Sequence, residues 1–489
     1  MKTNTLDFDA QALRERILDL AMRGKLVPQD PNDEPASVLL EKIKAEKEEL
    51  VKEKKIKKTK ALPEITDDEK PFDIPDSWEW VRLGEIGTIT SGGTPKKTEK
   101  SYWENGNIPW ITPATMSVVQ TDIMFNNKDV KKINQNGLDH SSAHLIPANS
   151  IVVSSRAPIG YTNIVPFDYT TNQGCKSVST YSDVVNEYVY YSIKFSVPDM
   201  YKRASGTTFK EISGTKFGET IIPFPPFSEQ SRIAAKIAQL FALLRKVESS
   251  TQQYAELQTL LKSKVLDLAM RGKLVKQDPN DEPASVLLEK IKAEKAELVK
   301  EKKIKKSKPL PPITDEEKPF DIPDSWEWVR LGDIATLISG KTEKALTSPF
   351  GVKAIYFKIS DMNYEKNSLF AQASQKSIVI DNENQFVPAG AVIFPKRGGA
   401  INTNKKRIVK CKNMVIDMNL MAISPVNCDM GGWIYWWFSS IDLKSIANGS
   451  NVPQINNKDI EPLLVPIPSL VEQKKIIKKL KELDYLVDR

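Results

Sequence analysis

Residues 228–271 read SEQSRIAAKIAQLFALLRKVESSTQQYAELQTLLKSKVLDLAMR. Steps of alternately four and three from Ile233 land on Ile237, Leu240, Leu244, Val247, Thr251, Tyr254, Gln258, Leu261, Val265 and Leu268, so nine of eleven positions are apolar. That repeat is a coiled-coil seam. Pro225 and Pro226 stand before it, Ser228 is an N-cap, Glu229 places negative charge at the positive helix end, and Gly272 supplies a stop. Such a helix is roughly 65 Å long at about 1.5 Å per residue. Its narrow seam needs a partner helix.

The chain ends supply the expected partner in two pieces. Shifted by 243 residues, Ile476, Leu480, Leu483 and Val487 fall on Ile233, Ile237, Leu240 and Leu244, with Glu472-Gln473 on Glu229-Gln230. Shifted by 248, Leu6, Leu13, Ile17 and Leu20 fall on Tyr254, Leu261, Val265 and Leu268. The second helix is therefore expected to be cut in its middle, where the two termini meet. The fold class that follows is mixed α/β: two globular α/β domains separated by two long antiparallel coiled-coil-like helices in a pseudo-twofold, circular arrangement.

A chain of 489 residues has room for two or three cored domains. Its 27% charged content and lack of a long apolar run predict a soluble protein with no membrane partner. Met1 to Asp7 has no apolar signal-peptide core. Cys175, Cys411 and Cys428, odd in number and far apart, argue for a reducing compartment, hence the cytoplasm. With only His140 and His144 besides, no zinc site is expected. A net charge of +7 permits nucleic-acid binding without requiring it.

Residues 17–86 recur as 265–334 with eight differences in seventy positions. Each copy runs from LDLAMRGKLV through QDPNDEPAS, whose Pro, Asn and Asp residues mark a break, into a Lys-rich stretch, Ser37 to Lys60 or Ser285 to Lys308, of helical composition. Its Lys-rich end, Lys52 to Lys60 or Lys300 to Lys308, is either a solvated charge run or a phosphate contact. Both copies close on KPFDIPDSWEWVRLG(E/D)I, whose tryptophans are expected to pin an extended entry onto a domain. The intervening sequences then diverge, although IPANSIVVSSR ending at Arg156 parallels VPAGAVIFPKR ending at Arg397. ASGTTFKEISGTKFGETIIPFPPFSEQ likewise parallels ANGSNVPQINNKDIEPLLVPIPSLVEQ. A constant frame with variable interiors is what a two-headed reader of different targets requires.

In these motifs the chain resembles a specificity subunit of a type I restriction-modification enzyme. IPDSWEWVRLGEI opening each variable region, GGTP at Gly92 to Pro95, IPFPPFSEQ and VPIPSLVEQ leading into helices, and the LDLAMRGKLV helix ends carry the likeness over essentially the full length. The resemblance implies two target recognition domains, at 71–227 and 319–470, each reading half of a bipartite double-stranded DNA site. The continuous helix would occupy 228–275, the two halves of the other helix 1–27 and 471–489, and the arms with their linkers 28–70 and 276–318. It also implies docking of two modification subunits that bind S-adenosylmethionine and methylate adenine. Restriction subunits using ATP and magnesium would complete the complex. This chain would hold no cofactor and perform no catalysis.

The sequence agrees in what it lacks. It has no Gly-x-x-x-x-Gly-Lys-Ser/Thr phosphate loop, no dinucleotide Gly-x-Gly-x-x-Gly turn and no Asn/Asp-Pro-Pro-aromatic methylase signature, FPPF at 224–227 missing the leading residue. The DNA-binding candidates lie in the variable domains. Arg156 and Arg397, the latter preceded by Lys396, suit guanine O6 and N7 or a phosphate, against a structural ion pair. Lys96 and Lys97 after the Gly-Gly turn, with Lys341 and Lys344 in the second copy, suit phosphates, the glycines leaving room, or are solvated. Lys202, Arg203 and Lys210 flank SGTTF, while Asn451 and Gln454 occupy the matching loop, where amides serve adenine or the turn itself. Asn402, Lys405, Lys406 and Arg407 form a basic run near Arg397. The rival reading is a coiled-coil scaffold with two variable protein-binding domains.

Overall fold

The computed structural model describes the backbone of residues 9–207, 210–306, 308–449 and 452–487, with side chains as far as Leu483. The chain divides into two compact units, one within Thr5–Thr251 and one within Gln252–Arg489.

In the amino-terminal unit, helix α1 (Ala10–Met22) is capped by Asp9, whose side chain accepts from the Ala12 amide. Its carboxyl end is followed by Gly24 at φ +65°, where a Cβ would lie 2.4 Å from Pro75 Cγ. Only glycine fits that turn. Helix α2 (Ala36–Lys52) buries Leu39 and Ile43 in the same cluster as Met22 and Trp78. The Lys-rich arm is therefore packed along one face. Its helix ends at Lys52 rather than running to Lys60, because Lys54 takes φ +59° and turns the chain back.

Strand β1 (Glu79–Arg82) follows the tryptophan motif. Next come β2 (Gly87–Ser91), β3 (Ile151–Ser155), β4 (Ile159–Ile164) and β5 (Cys175–Thr180), which form an antiparallel sheet in the order β2-β5-β3-β4. A smaller sheet of residues 108–111, 132–133 and 170–171 stands apart in pairing. Helix α3 (Asn186–Arg203) buries Tyr188, whose hydroxyl donates to Pro223 O at 2.8 Å. Strand β6 (Ile221–Phe224) leaves the domain paired antiparallel with β1, Trp80 opposite Pro223. Entry and exit thus form one two-stranded neck, where Pro223 is tolerated because neither strand is interior to a sheet.

Helix α4 (Phe227–Met270) is continuous, and the division between the units falls within it. Its first half belongs with α1: Arg14 Nη2 meets Glu248 Oε2 at 2.5 Å, while Arg232 meets Asp33 at 2.6 Å beyond the other end of α1. These two contacts set the pair antiparallel.

The carboxy-terminal unit repeats this plan with α5 (Ala284–Lys300), β7 (Glu327–Arg330), β8 (Ala335–Ser339), β9 (Val392–Pro395), β10 (Arg407–Val409), β11 (Leu420–Pro425), α6 (Gly431–Ser439), β12 (Leu464–Ile467) and α7 (Leu470–Val487). Its larger sheet runs β8-β11-β9-β10 and adds residues 370–371. The neck pairs Trp328 with Pro466. Trp433 Nε1 donates to Pro466 O at 2.9 Å, so it packs in the core and forms no stacking platform. Leu480 of α7 is buried in one cluster with Val265, Leu266 and Met270 of the second half of α4.

At the two ends of α4 the residues of the apolar repeat are covered, Ile233 and Ile237 being buried and Val265 and Leu268 half-buried. Between them Val247, Tyr254 and Leu261 are exposed. The segments expected to meet them, Met1–Phe8 and the side chains of 484–489, lie outside the described residues.

The two necks are locked by the same buried chemistry. Trp78 Nε1 donates to Glu229 Oε2 at 2.8 Å, and Gln29 donates to the other oxygen. Trp326 and Gln277 do the same to Glu472. Arg82, buried, binds Pro63 O, Glu219 O and Glu69; Arg330 binds Pro311 O, Pro462 O and Glu317. Burial raises the pKa of Glu229 and Glu472 above the ordinary 4.5, and the donated hydrogen bonds offset only part of that. A raised acid favours the fold in its neutral form, so this contribution is complete below about pH 4.5 and is lost as pH rises through the raised value. Glu229→Gln and Glu472→Gln should flatten the fall of melting temperature above pH 4.5, each in its own unit. An unchanged pH profile in both variants would contradict the assignment.

Candidate nucleic-acid interface

One end of each larger sheet gathers most of the candidates. In the amino-terminal unit, β2 and β3 finish there and β5 and β4 begin, so the loops at 92–98, 156–158 and 172–174 leave the same edge. A fourth element joins them. Ser205 and Glu211 exchange backbone hydrogen bonds at 3.0 and 2.9 Å, closing a hairpin, and Ile212 N donates to Ser155 O at 3.0 Å. The hairpin is thereby fastened to the end of β3, with Gly206 at φ +103° inside it. Residues 208 and 209 lie outside the described residues.

Arg156 stands at the centre. Its Nη1 meets Glu211 Oε2 at 3.2 Å, and it remains half-exposed. Beneath it Lys176 is buried, its ammonium donating to Ser155 Oγ at 3.3 Å and Gln173 O at 3.0 Å and lying 3.8 Å from Glu211. Burial lowers the Lys176 pKa, and Glu211 opposes that shift. Thr94 bonds Gln173, tying the Gly-Gly turn to the same edge. Lys96 and Lys97 are exposed beyond it. Gly92 has a different role from the one expected: a Cβ there would lie 1.9 Å from Asn172 O, so the missing side chain admits the protein's own loop. Gly340 does the same for Asp417 O.

Lys202 is exposed, and Lys210 lies 4.8 Å over the Tyr201 ring with its ammonium on Tyr201 O. Arg203 is engaged internally by Asp199, Lys216 O and Thr220. It ties the end of α3 to its neighbours, which is a structural role.

The carboxy-terminal unit builds the same edge from other residues. Asn448 and Gln454 exchange backbone hydrogen bonds at 2.9 and 2.8 Å, and Ile455 N donates to Lys396 O at 2.9 Å. Arg397 therefore occupies the position of Arg156, and Gln454 that of Glu211. Lys341, Lys344 and Asn402 are exposed, Lys396 and Arg397 half-buried, and Asn451 lies outside the described residues. Burial and the adjacent Arg397 lower the Lys396 pKa. Lys405 bonds Asn363. Lys406 and Arg407 differ from expectation. Lys406 is buried against Phe438, donates to Ile441 O and Asn404, and is pushed down to about 8 by burial. Arg407 is held by Met362 O, Lys406 O and Asn367 O. Lys406, just before β10, and Arg407, its first residue, both spend their donors on groups inside the protein, so the basic run does not form one surface.

Sequence reading misses Gln173, Lys176 and Glu211, and Asp417 and Asn419 in the second copy. Asn419 O accepts from Lys396 N at 2.8 Å, and Asp417 holds the Tyr356 hydroxyl at 2.8 Å. A search limited to cations and loop amides passes over Glu211, although the paired loops place it opposite Gln454.

Among the described residues no group of three or more His, Cys, Asp or Glu is arranged to hold a metal, and no helix is long and apolar enough to cross a membrane. The edge offers cations, amides and one carboxylate on a rigid sheet end, which can bind and discriminate base edges.

Comparison with known proteins agrees with this geometry. The chain is 35% identical to the EcoAI type I restriction enzyme specificity subunit of Escherichia coli, over 97% of this chain and 89% of that one. It is 38% identical to the EcoEI specificity subunit of Escherichia coli over 67% of this chain and 62% of that one. Among solved structures, a chain from a study of complex assembly and conformational transition in the type I restriction-modification system matches with TM-score 0.55 at 19% identity, covering 85% of this chain and 92% of that one. The HsdS subunit from Thermoanaerobacter tengcongensis matches with TM-score 0.50 at 19% identity, covering 86% and 92%. The model of the type I restriction modification DNA specificity domain matches residues 75–258 and again 323–488, ranges that each contain one neck and one sheet edge. The chain therefore belongs to the type I restriction-modification specificity subunits, with one such domain in each half.

Proposed function

We propose that the two sheet edges each read one half of a bipartite double-stranded DNA site, and that the long helices set the distance between the halves as a coiled-coil-like pair in a pseudo-twofold, circular arrangement. The chain is a DNA sequence-recognition subunit of a restriction-modification system and is not itself the catalyst. On this reading two modification subunits, carrying S-adenosylmethionine, dock on the helices. Restriction subunits using ATP and magnesium join that core.

One observation carries the reading. The necks, tryptophan locks and hairpin fastenings are repeated bond for bond, while the side chains presented at the edge differ. Arg156, Lys96, Lys97, Lys202 and Lys210 form the proposed surface of the first domain. Lys341, Lys344, Lys396, Arg397, Asn402, Lys405 and Gln454 form that of the second, and the candidate Asn451 lies outside the described residues. Arg203, Lys406 and Arg407 are left out, their donors being engaged inside the protein.

The test is DNA binding by the complex with modification subunits across a salt series. Replacing Lys96 and Lys97 together with Ala should weaken binding to all sequences alike and lower the slope of log K against log salt by roughly 1.8, about 0.9 for each phosphate that is no longer neutralised. Arg156→Ala should instead cost about 1–3 kcal/mol on the cognate site and little on unrelated DNA. Absence of any sequence-selective protection by the wild-type complex would favour a protein-binding scaffold.

A further inference from the structure

We infer that the residue closing the hairpin beside each strand-end arginine, Glu211 in one domain and Gln454 in the other, determines how strictly that arginine selects its base. The inference rests on the proposed reading of the two edges as DNA-reading sites and names the position that makes them differ.

The fastening bonds supply the alignment. Ile212 N to Ser155 O corresponds to Ile455 N to Lys396 O, which equates Ser155 with Lys396, Arg156 with Arg397 and Glu211 with Gln454. Strand register extends it: Cys175 faces Ser154 as Leu420 faces Pro395, so Lys176 corresponds to Met421. The first site therefore has a buried lysine from β5 beside its arginine, whereas the second has Met421 at that position and Lys396 next to Arg397 in the chain, just past the end of β9.

The third member differs in charge. In the first domain a carboxylate lies between two cations, 3.2 Å from Arg156 Nη1 and 3.8 Å from Lys176 Nζ. In the second, Gln454 turns its amide to Asn456 at 2.8 Å, leaving two adjacent cations, Lys396 and Arg397, beside a neutral side chain.

A guanidinium held at Nη1 by a carboxylate has fewer orientations open to it, and its remaining donors favour one direction. It then suits guanine, which accepts through O6 and N7 in a set geometry. Glu211 also repels phosphate, so it prevents Arg156 from sliding onto the backbone. Lys176 lies 3.8 Å from Glu211 and ties the end of β3 to the 172–174 loop through Ser155 Oγ and Gln173 O. Glu211 is thus a positioning residue. Among the described residues Arg397 has no such grip, and its site selects less strictly at the corresponding base.

The experiment uses the full complex with modification subunits, on DNA libraries randomised through both half-sites, with methylated sequences counted. Glu211→Gln, which keeps size and shape, should reduce discrimination about tenfold or more at one base position of the first half-site, the scale of a single bidentate pair. That position should be the one relaxed by Arg156→Lys, which cannot form the fork. The second half-site should be unchanged. Gln454→Glu should sharpen one position of the second half-site and leave the first unchanged.

Unaltered discrimination in both variants overturns the inference. So does a Glu211→Gln effect spread equally over every position of its half-site, which is the signature of a loosened domain. A wild-type complex that methylates no two-part motif overturns the underlying reading as well, and this outcome is separate from an intact motif that the variants leave untouched.

Discussion

Trp78→Ala lowers the unfolding free energy of the amino-terminal unit by about 3–5 kcal/mol, the range for removing a buried large aromatic. Trp326→Ala does the same to the carboxy-terminal unit. Each indole is almost wholly buried, lies against the left-handed glycine that ends a helix, and donates to a buried glutamate. A Cβ on Gly24 would lie 3.3 Å from Trp78 Cζ2, and one on Gly272 3.2 Å from Trp326 Cζ2. Alanine opens a cavity at the one place where helix end, arm, neck and long helix converge. It also leaves a carboxylate oxygen without its donor, which adds about 1–3 kcal/mol if water does not reach it. Phenylalanine at either position separates the two contributions, keeping most of the packing and losing the bond. Denaturant unfolding of both variants measures the effect, and each should displace a different part of the transition. A loss below about 1 kcal/mol, well under the range for a buried aromatic, in either variant would show that the neck does not hold the domain to the helix.

Much of this frame is legible in the sequence because it depends on strong local signals. The apolar repeat from Ile233, the Pro225-Pro226 entry and Gly272 predict a helix at 228–271, within one residue of Phe227–Met270 at each end. The repeated Pro and Trp residues of 70–86 and 318–334 mark the necks. The helix of each arm is shorter than its composition suggests because its stop is a lysine in left-handed conformation, Lys54 and again Lys302, where residue type gives no warning. The buried face of the arm is equally hard to see, since Leu39 and Ile43 are sparse among lysines.

At the candidate site, sequence parallels find the strand-end arginines but not their surroundings. The fastening of hairpin to strand is made by backbone groups of Ser205, Glu211 and Ile212, which any side chain could accompany. Lys406 looks like Lys405 in sequence, yet one is buried with its ammonium on Ile441 O and the other is not, a difference set by how the loop before β10 packs. Gly92 and Gly340 are legible as close approaches. The atom that approaches is a neighbouring carbonyl of the same chain.

The central claim is that two interchangeable reading domains hang on one constant frame, and exchanging their interiors has the largest effect expected of any change to the chain. Ile86 and Ile334 end equivalent short helices, and Ile212 and Ile455 make equivalent bonds to the strand end, so residues 335–455 can replace 87–212 with both joints in matching backbone. The necks, tryptophan locks and long helix remain untouched. The chimera then carries two copies of the second reading domain on an unaltered ruler. The direct measurement is sequencing of the DNA methylated by the complex formed with this chimera and the modification subunits. The account predicts a site whose two halves are both the second half-site of the parent, at the parental separation. Retention of the parent's two different half-sites would contradict it.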